Sequence, residues 1–218
     1  MFFPYRDDNP HILTPYVTYG IIAINSFLFL LQMGMEVSSP MAVRSFINTF
    51  GLIPSDFGVM NIFTSMFIHG GFAHIIGNMW FLWIFGDNVE SALGHVRYII
   101  FYFVCGIAAA LLQVMIDPSS SIPMVGASGA IAGVLGAYMI RYPRARVHVF
   151  VFIFIFITTI QIPAFYVLGF WFLMQLTSGL GTLGPDATGG VAWFAHIGGF
   201  IAGIGFERMS RFLKFEKV

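Results

Sequence analysis

Charge is scarce in this chain and cysteine is nearly missing. Of its 218 residues only 9% are Asp, Glu, Lys or Arg, ten acidic and ten basic, and the one cysteine is Cys105. A soluble domain carries roughly 25% charged residues, so an ordinary water-soluble fold is excluded. A net charge of zero supplies no basic field for nucleic acid. One cysteine makes neither an intramolecular disulfide nor a cysteine metal site, and Cys105 reads as a small core residue. The spacing of His69 and His74 is neither HExxH nor H-x-x-x-H, and no carboxylate shares the depth of His196, so no metal and no cofactor are expected. The first ten residues hold Arg6, Asp7 and Asp8 but no basic stretch with an apolar core behind it. They do not read as a cleaved signal peptide, and the first helix is expected to insert and stay. No internal repeat suggests a transporter built from two related halves.

Apolar residues dominate instead: 58% of the chain, with a mean hydropathy of +0.85. Several runs approach the roughly 20 residues that span a bilayer core. Six crossings are predicted, near 17–35, 72–86, 98–116, 128–141, 163–180 and 191–206, giving an all-α polytopic membrane protein with a short, central fourth helix. The division expected is an N-terminal segment 1–16, a transmembrane domain 17–207 and a basic tail 208–218. Nine of the ten basic residues fall on one side and only Arg44 on the other. By the positive-inside rule both termini are cytoplasmic, which suits a bacterial-type inner membrane. The stretch 147–162 is too short to add a good crossing, and two crossings between 147 and 180 would invert the basic tail. It is expected to be interfacial or a tilted hairpin arm.

Polar groups inside a bilayer are functional-site candidates by default. Counting from the cytoplasmic boundary at about 1.5 Å per residue puts Ser128, His74 and His196 at one height, roughly 20 Å up on three separate helices. Ser128 opens the fourth helix between Gly126 and Gly129, where unpaired N–H groups and the helix dipole favour an anion. His196, Gly199 and Gly203 share one face of the sixth helix. The fourth helix is built from small residues that allow close backbone approach, so that face is expected to press His196 towards Ser128. Taken singly these residues have ordinary readings. A membrane serine bonds the carbonyl one turn back, and an intramembrane histidine ties helices together. His74 and Asn78, spaced i, i+4, either do the same or donate to a developing oxyanion. His69 reads as an organiser of the outer loop. Asp87 and Glu90 read as packing and capping groups.

Four motifs in order resemble the rhomboid family of intramembrane serine proteases: 69–78 (HGGFAHIIGN), 85–90 (FGDNVE), Gly126-Ala127-Ser128-Gly129, and Ala195-His196-Ile197-Gly198-Gly199 with Gly203. The resemblance implies a six-helix rhomboid-like bundle in which Ser128 is the nucleophile and His196 the general base. His74, Asn78 and the Ser128 backbone N–H would line the oxyanion hole, with Gly126, Gly129, Gly199 and Gly203 supporting them. It implies cleavage of single-pass transmembrane proteins within membrane lipid. The chain departs from the family in two places. Many members have a Tyr one turn after the serine that stacks on the histidine, where this chain has Ala132, and the Trp-Arg pair some carry in the first outer loop is missing. No Asp or Glu lies at the depth of His196, so a dyad is expected. Substrate is expected to come in laterally between the second and fifth helices, with 179–190 as a mobile lid. The alternative is an inactive relative that binds membrane helices; such relatives lack the serine or the histidine, and this chain has both.

Overall fold

The short helix at 128–141 sits at the centre, packed against the helices at 72–93, 95–116, 164–181 and 193–212. The computed structural model describes residues 2–10, 12–153, 156–183 and 191–213. Among these, eight α-helices occur: α1 Tyr16–Ser38, α2 Pro40–Phe50, α3 Val59–Thr64, α4 Phe72–Leu93, α5 His95–Ile116, α6 Ser128–Arg141, α7 Ala164–Gly181 and α8 Trp193–Phe212. Three strands join them, β1 Phe2–Asp7, β2 Arg146–Ile153 and β3 Phe156–Pro163. The six predicted crossings correspond to α1, α4, α5, α6, α7 and α8. By length and hydropathy α1, α5 and α7 qualify as spans, and α3 through α4 qualifies as a fourth, bent by 88° at its break. The chain is an integral, mostly helical membrane protein.

Eleven consecutive residues of α6, Gly129 to Met139, are buried. Its fourteen residues reach only about 21 Å, and its neighbours wrap it on every side. Small residues make that possible. A Cβ on Gly199 would stand 1.9 Å from the Gly129 carbonyl oxygen, and one on Gly203 2.0 Å from that of Gly133. The two backbones of α6 and α8 therefore touch directly, as the expected glycine face requires. At the other end of this pair, buried Glu207 on α8 accepts from Arg141 at 3.0 Å and Arg211 at 2.8 Å, clasping the ends of α6 and α8 together.

Two clamps set α1 and α4. The Glu90 carboxylate, fully buried, accepts from the N–H of Val17 (2.9 Å), the N–H of Thr18 (2.7 Å) and the Thr18 hydroxyl (2.7 Å). It thereby caps the start of α1, which has no cap of its own. Gln32 exchanges two hydrogen bonds with the backbone of His69 (3.0 and 3.1 Å), fixing the turn that leads into α4.

The mostly helical bundle, as expected, carries one small sheet in addition. Strands β1, β2 and β3 form an antiparallel sheet in that order. Paired β2 and β3 occupy the stretch expected to be interfacial or a tilted hairpin arm, and β1 lies within the expected N-terminal segment 1–16. Val147, Val149 and Val151 share one face of β2 and are buried, the first two joining the core, while His148 on the other face is buried against Asp8. The Trp80 indole N–H of α4 donates to the Pro4 carbonyl at 2.8 Å, and β3 runs straight into α7. The sheet thus bridges α4 to α7. Two helices outrun their predicted ends. α4 continues to Leu93, carrying Asp87 and Glu90, and α8 continues to Phe212, so the boundary drawn at 208 falls inside a helix. Residues 214–218 of the expected tail lie outside the described residues.

Candidate active site

At the end of the bundle away from the sheet, the starts of α4, α6 and α8 meet the ends of α5 and α7. An open cavity of roughly 1200 Å³ lies there, lined by His74, Asn78, Ser128, His196, Trp171 and Gln175 among others. Gly126 has φ +116°, a conformation that favours glycine, and its N–H is held by the Ser65 carbonyl at 2.9 Å. That turn sets Ser128 at the first position of α6. The first intrahelical bond runs from the Ile131 N–H to the Ala127 carbonyl, so the N–H groups of residues 128–130 have no helical partner.

His196 Nε2 lies 2.8 Å from Ser128 Oγ. Two of the predicted residues, 68 positions apart in the chain, are thus hydrogen-bonded. The glycine contacts between α6 and α8 bring them together: Gly129 and Gly199 adjoin the serine and the histidine, and Gly203 repeats the contact one turn on.

His74 and Asn78 come from the facing helix. A Cβ built on Gly126 would meet His74 Nε2 at 2.6 Å and Asn78 Nδ2 at 3.4 Å. Both nitrogens therefore border one small space beside Ser128. His74 Nδ1 accepts from the Gly70 N–H at 3.4 Å, which leaves Nε2 as the protonated nitrogen facing that space. Asn78 Nδ2 is buried with no partner. An unpaired buried donor is costly unless something arrives to accept from it. His69 is buried behind His74, ring edge to ring face at 5.2 Å, so it packs against the second histidine.

The other ring nitrogen of His196 meets a residue that no sequence motif singles out. Gln175 of α7, buried, accepts through Oε1 from His196 Nδ1 at 2.8 Å. Its own Nε2 donates to the Trp171 carbonyl at 3.2 Å, which fixes the amide orientation. One turn after Ser128 the chain has Ala132, and the rings beside His196 come from elsewhere: Trp171 of α7 lies 5.9 Å away, tilted, and Trp193 of α8 edge-on at 6.2 Å. The available signal was the pair Trp171 and Gln175 at i, i+4, on the buried face that also carries Ala164, Leu168 and Gly179. Of the expected lid, residues 184–190 lie outside the described residues. Among the described residues no cluster of metal-binding side chains occurs.

Comparison with known proteins gives one consistent answer. The Rhomboid domain family matches residues 56–210. The chain is 28% identical over 193 residues to Rhomboid protease GluP of Bacillus subtilis, covering 87% of this chain and 34% of that protein. It is 29% identical over 145 residues to RHOMBOID-like protein 6, mitochondrial, of Arabidopsis thaliana, covering 65% of this chain and 40% of that one. Against Rhomboid protein 1, mitochondrial, of Saccharomyces cerevisiae it is 29% identical over 137 residues, or 60% of this chain and 38% of that one. The chain spans about two fifths or less of the length of these relatives.

Proposed function

The chain belongs to the rhomboid family, and from that premise we propose that it is an intramembrane serine endopeptidase that cuts transmembrane segments of other membrane proteins. The observation that carries this reading is the 2.8 Å contact between Ser128 Oγ and His196 Nε2 in an open cavity lined also by Asn78, whose Nδ2 has no partner among the described residues.

Gln175 accepts from Nδ1–H, so His196 Nε2 carries the free lone pair and takes the Ser128 hydroxyl proton as Oγ attacks the peptide carbonyl. Negative charge then grows on the carbonyl oxygen. His74 Nε2, Asn78 Nδ2 and the N–H groups at the start of α6 receive it, and one such donor is worth roughly 3 kcal/mol. The imidazolium returns its proton to the leaving amine, which departs and leaves an acyl-enzyme on Ser128. Water drawn from the cavity hydrolyses that ester with His196 again as base.

A helical segment hides its peptide bonds in its own hydrogen bonds, so the substrate must unwind locally before attack. Single-pass proteins with small or helix-weakening residues near the cavity level fit this demand. Access is lateral, between α4 and α7 beyond the bridging sheet. Both termini are assigned to the cytoplasm of a bacterial-type inner membrane, on the distribution of basic residues.

The test uses the full chain and Ser128→Ala, each reconstituted in vesicles with a labelled single-pass substrate. Cleavage and fluorophosphonate labelling by the unmodified chain, both lost in Ser128→Ala, are expected. Binding of the substrate without cleavage or labelling would instead identify a helix-binding relative.

A further inference from the structure

We propose that Gln175 is a positioning residue that extends the Ser128–His196 pair to a hydrogen-bonded triad and sets the tautomer on which proton transfer depends. The inference rests on the protease reading and adds a third group to it.

A neutral imidazole has two tautomers, and only the one protonated at Nδ1 leaves Nε2 free to accept from a serine. Gln175 Oε1 stands 2.8 Å from Nδ1. An amide oxygen only accepts, so this contact selects Nδ1–H. The reverse amide orientation would put an N–H against Nδ1 and select the wrong tautomer. That orientation is blocked because Nε2 of Gln175 is already engaged by the Trp171 carbonyl at 3.2 Å. Burial protects the arrangement, since Gln175 is 5% exposed and water has little opportunity to compete. Trp171 lies one turn before Gln175 and also rests against the His196 ring at 5.9 Å. One face of α7 therefore fixes both the plane and the proton of the imidazole.

A glutamine differs from the aspartate of a Ser-His-Asp triad in a definite way. It supplies orientation and a dipole, but no charge opposite the imidazolium. It also avoids burying an anion at membrane depth, which a carboxylate there would require. Replacing the aspartate of such a triad by asparagine, which keeps the geometry but imposes the wrong tautomer, lowers kcat about 10⁴-fold. Removing Gln175 leaves both tautomers open without imposing the wrong one, so kcat is expected to fall by less, roughly 10–100-fold, with KM held within about twofold because the Gln175 amide is taken up by His196 and the Trp171 carbonyl.

The experiment compares the reconstituted full chain with Gln175→Leu and Gln175→Glu. Three readouts are taken: kcat and KM on a transmembrane substrate, the rate of fluorophosphonate labelling at Ser128, and ¹⁵N NMR of selectively labelled His196. In the unmodified chain the NMR spectrum is expected to show the Nδ1–H tautomer. In Gln175→Leu, kcat and labelling rate fall together, KM holds, the spectrum shows mixed tautomers and the melting temperature stays within a few degrees. Gln175→Glu, which keeps an acceptor at the same reach, recovers at least part of kcat. An unchanged kcat in Gln175→Leu, or a loss of kcat with the tautomer unchanged, would overturn the proposal. If the unmodified chain neither cleaves nor labels, the protease reading fails on its own, and the tautomer comparison still decides whether Gln175 sets the imidazole.

Discussion

Gly199 lies directly on the carbonyl of Gly129, with no room for a side chain: a Cβ there would stand 1.9 Å from the oxygen. The contact links the turn after His196 to the residue after Ser128, so helix packing and the site geometry are one constraint. Gly199→Ala forces α8 away from α6 at the level of the dyad. Overpacking of this kind destabilises by about 1–3 kcal/mol. Activity is expected to fall further than stability, because a shift of about 1 Å is felt as a lost hydrogen bond. Gly203→Ala meets an equal clash, 2.0 Å from the Gly133 carbonyl, one turn further from the site. Comparable melting temperatures with a larger loss of labelling in Gly199→Ala are expected. Equal labelling losses in the two variants would refute the coupling.

Asn78 carries an unpartnered buried donor beside Ser128, and His74 Nε2 borders the same space. If both serve the oxyanion, each substitution by Ala should lower kcat by about 10²–10³ while KM moves little. Steady-state kinetics on a transmembrane substrate decide this. A rise in KM at constant kcat would assign the pair to substrate binding instead.

The helical bundle was legible because its signals are local. Small residues in 128–141, the glycine face of 196–203 and the His74–Asn78 spacing each specify one surface, and the structure joins those surfaces. The sheet was not legible because its pairing is long-range. β1 at the N-terminus finds β2 some 140 positions later, across α1 to α6, and Phe-rich alternation in 147–162 reads as a generic apolar run. Gln175 carries no charge and so does not stand out in an apolar helix. A neutral acceptor at membrane depth leaves only a helical spacing from Trp171 as its trace.

Glu90 joins α4 to α1 through three hydrogen bonds with Val17 and Thr18 and meets His95 Nδ1 at 2.6 Å. Removing it leaves those buried donors unpaired. Glu90→Ala is expected to destabilise by about 3–5 kcal/mol, the range for breaking a buried charged network. Glu90→Gln keeps the shape and an acceptor oxygen and should cost less. The site lies at the far end of α4, so fluorophosphonate labelling at low temperature should survive in both. Denaturation in mixed detergent micelles provides the stability order, and a fully stable Glu90→Ala would show that α1 is held elsewhere.

Asp7 ends β1 and accepts a hydrogen bond from the Tyr138 hydroxyl of α6, which Asn9 Nδ2 also approaches at 3.0 Å. Burial, with the nearby charges of Asp87 and Asp8, pushes its carboxyl up to about 6 from an ordinary 3.8. The folded chain therefore binds this proton more tightly than the unfolded chain does. The resulting stabilisation is complete below about pH 4 and is lost as pH rises through 6, so the Asp7 contribution to stability falls with pH across that window. Asp7→Asn stays neutral and can still accept from Tyr138. The difference in melting temperature, Asp7→Asn minus unmodified chain, is expected to grow more positive between pH 4 and 7 and then level off. Because β1 carries the contact to Trp80 of α4, the same pH rise should loosen the strand that bridges towards α7, and hydrogen-exchange protection at 3–7, taken relative to the intrinsic rate at each pH, should fall in the unmodified chain but not in Asp7→Asn. A difference that is flat across the window would place the Asp7 carboxyl in contact with water, with no part in docking the sheet.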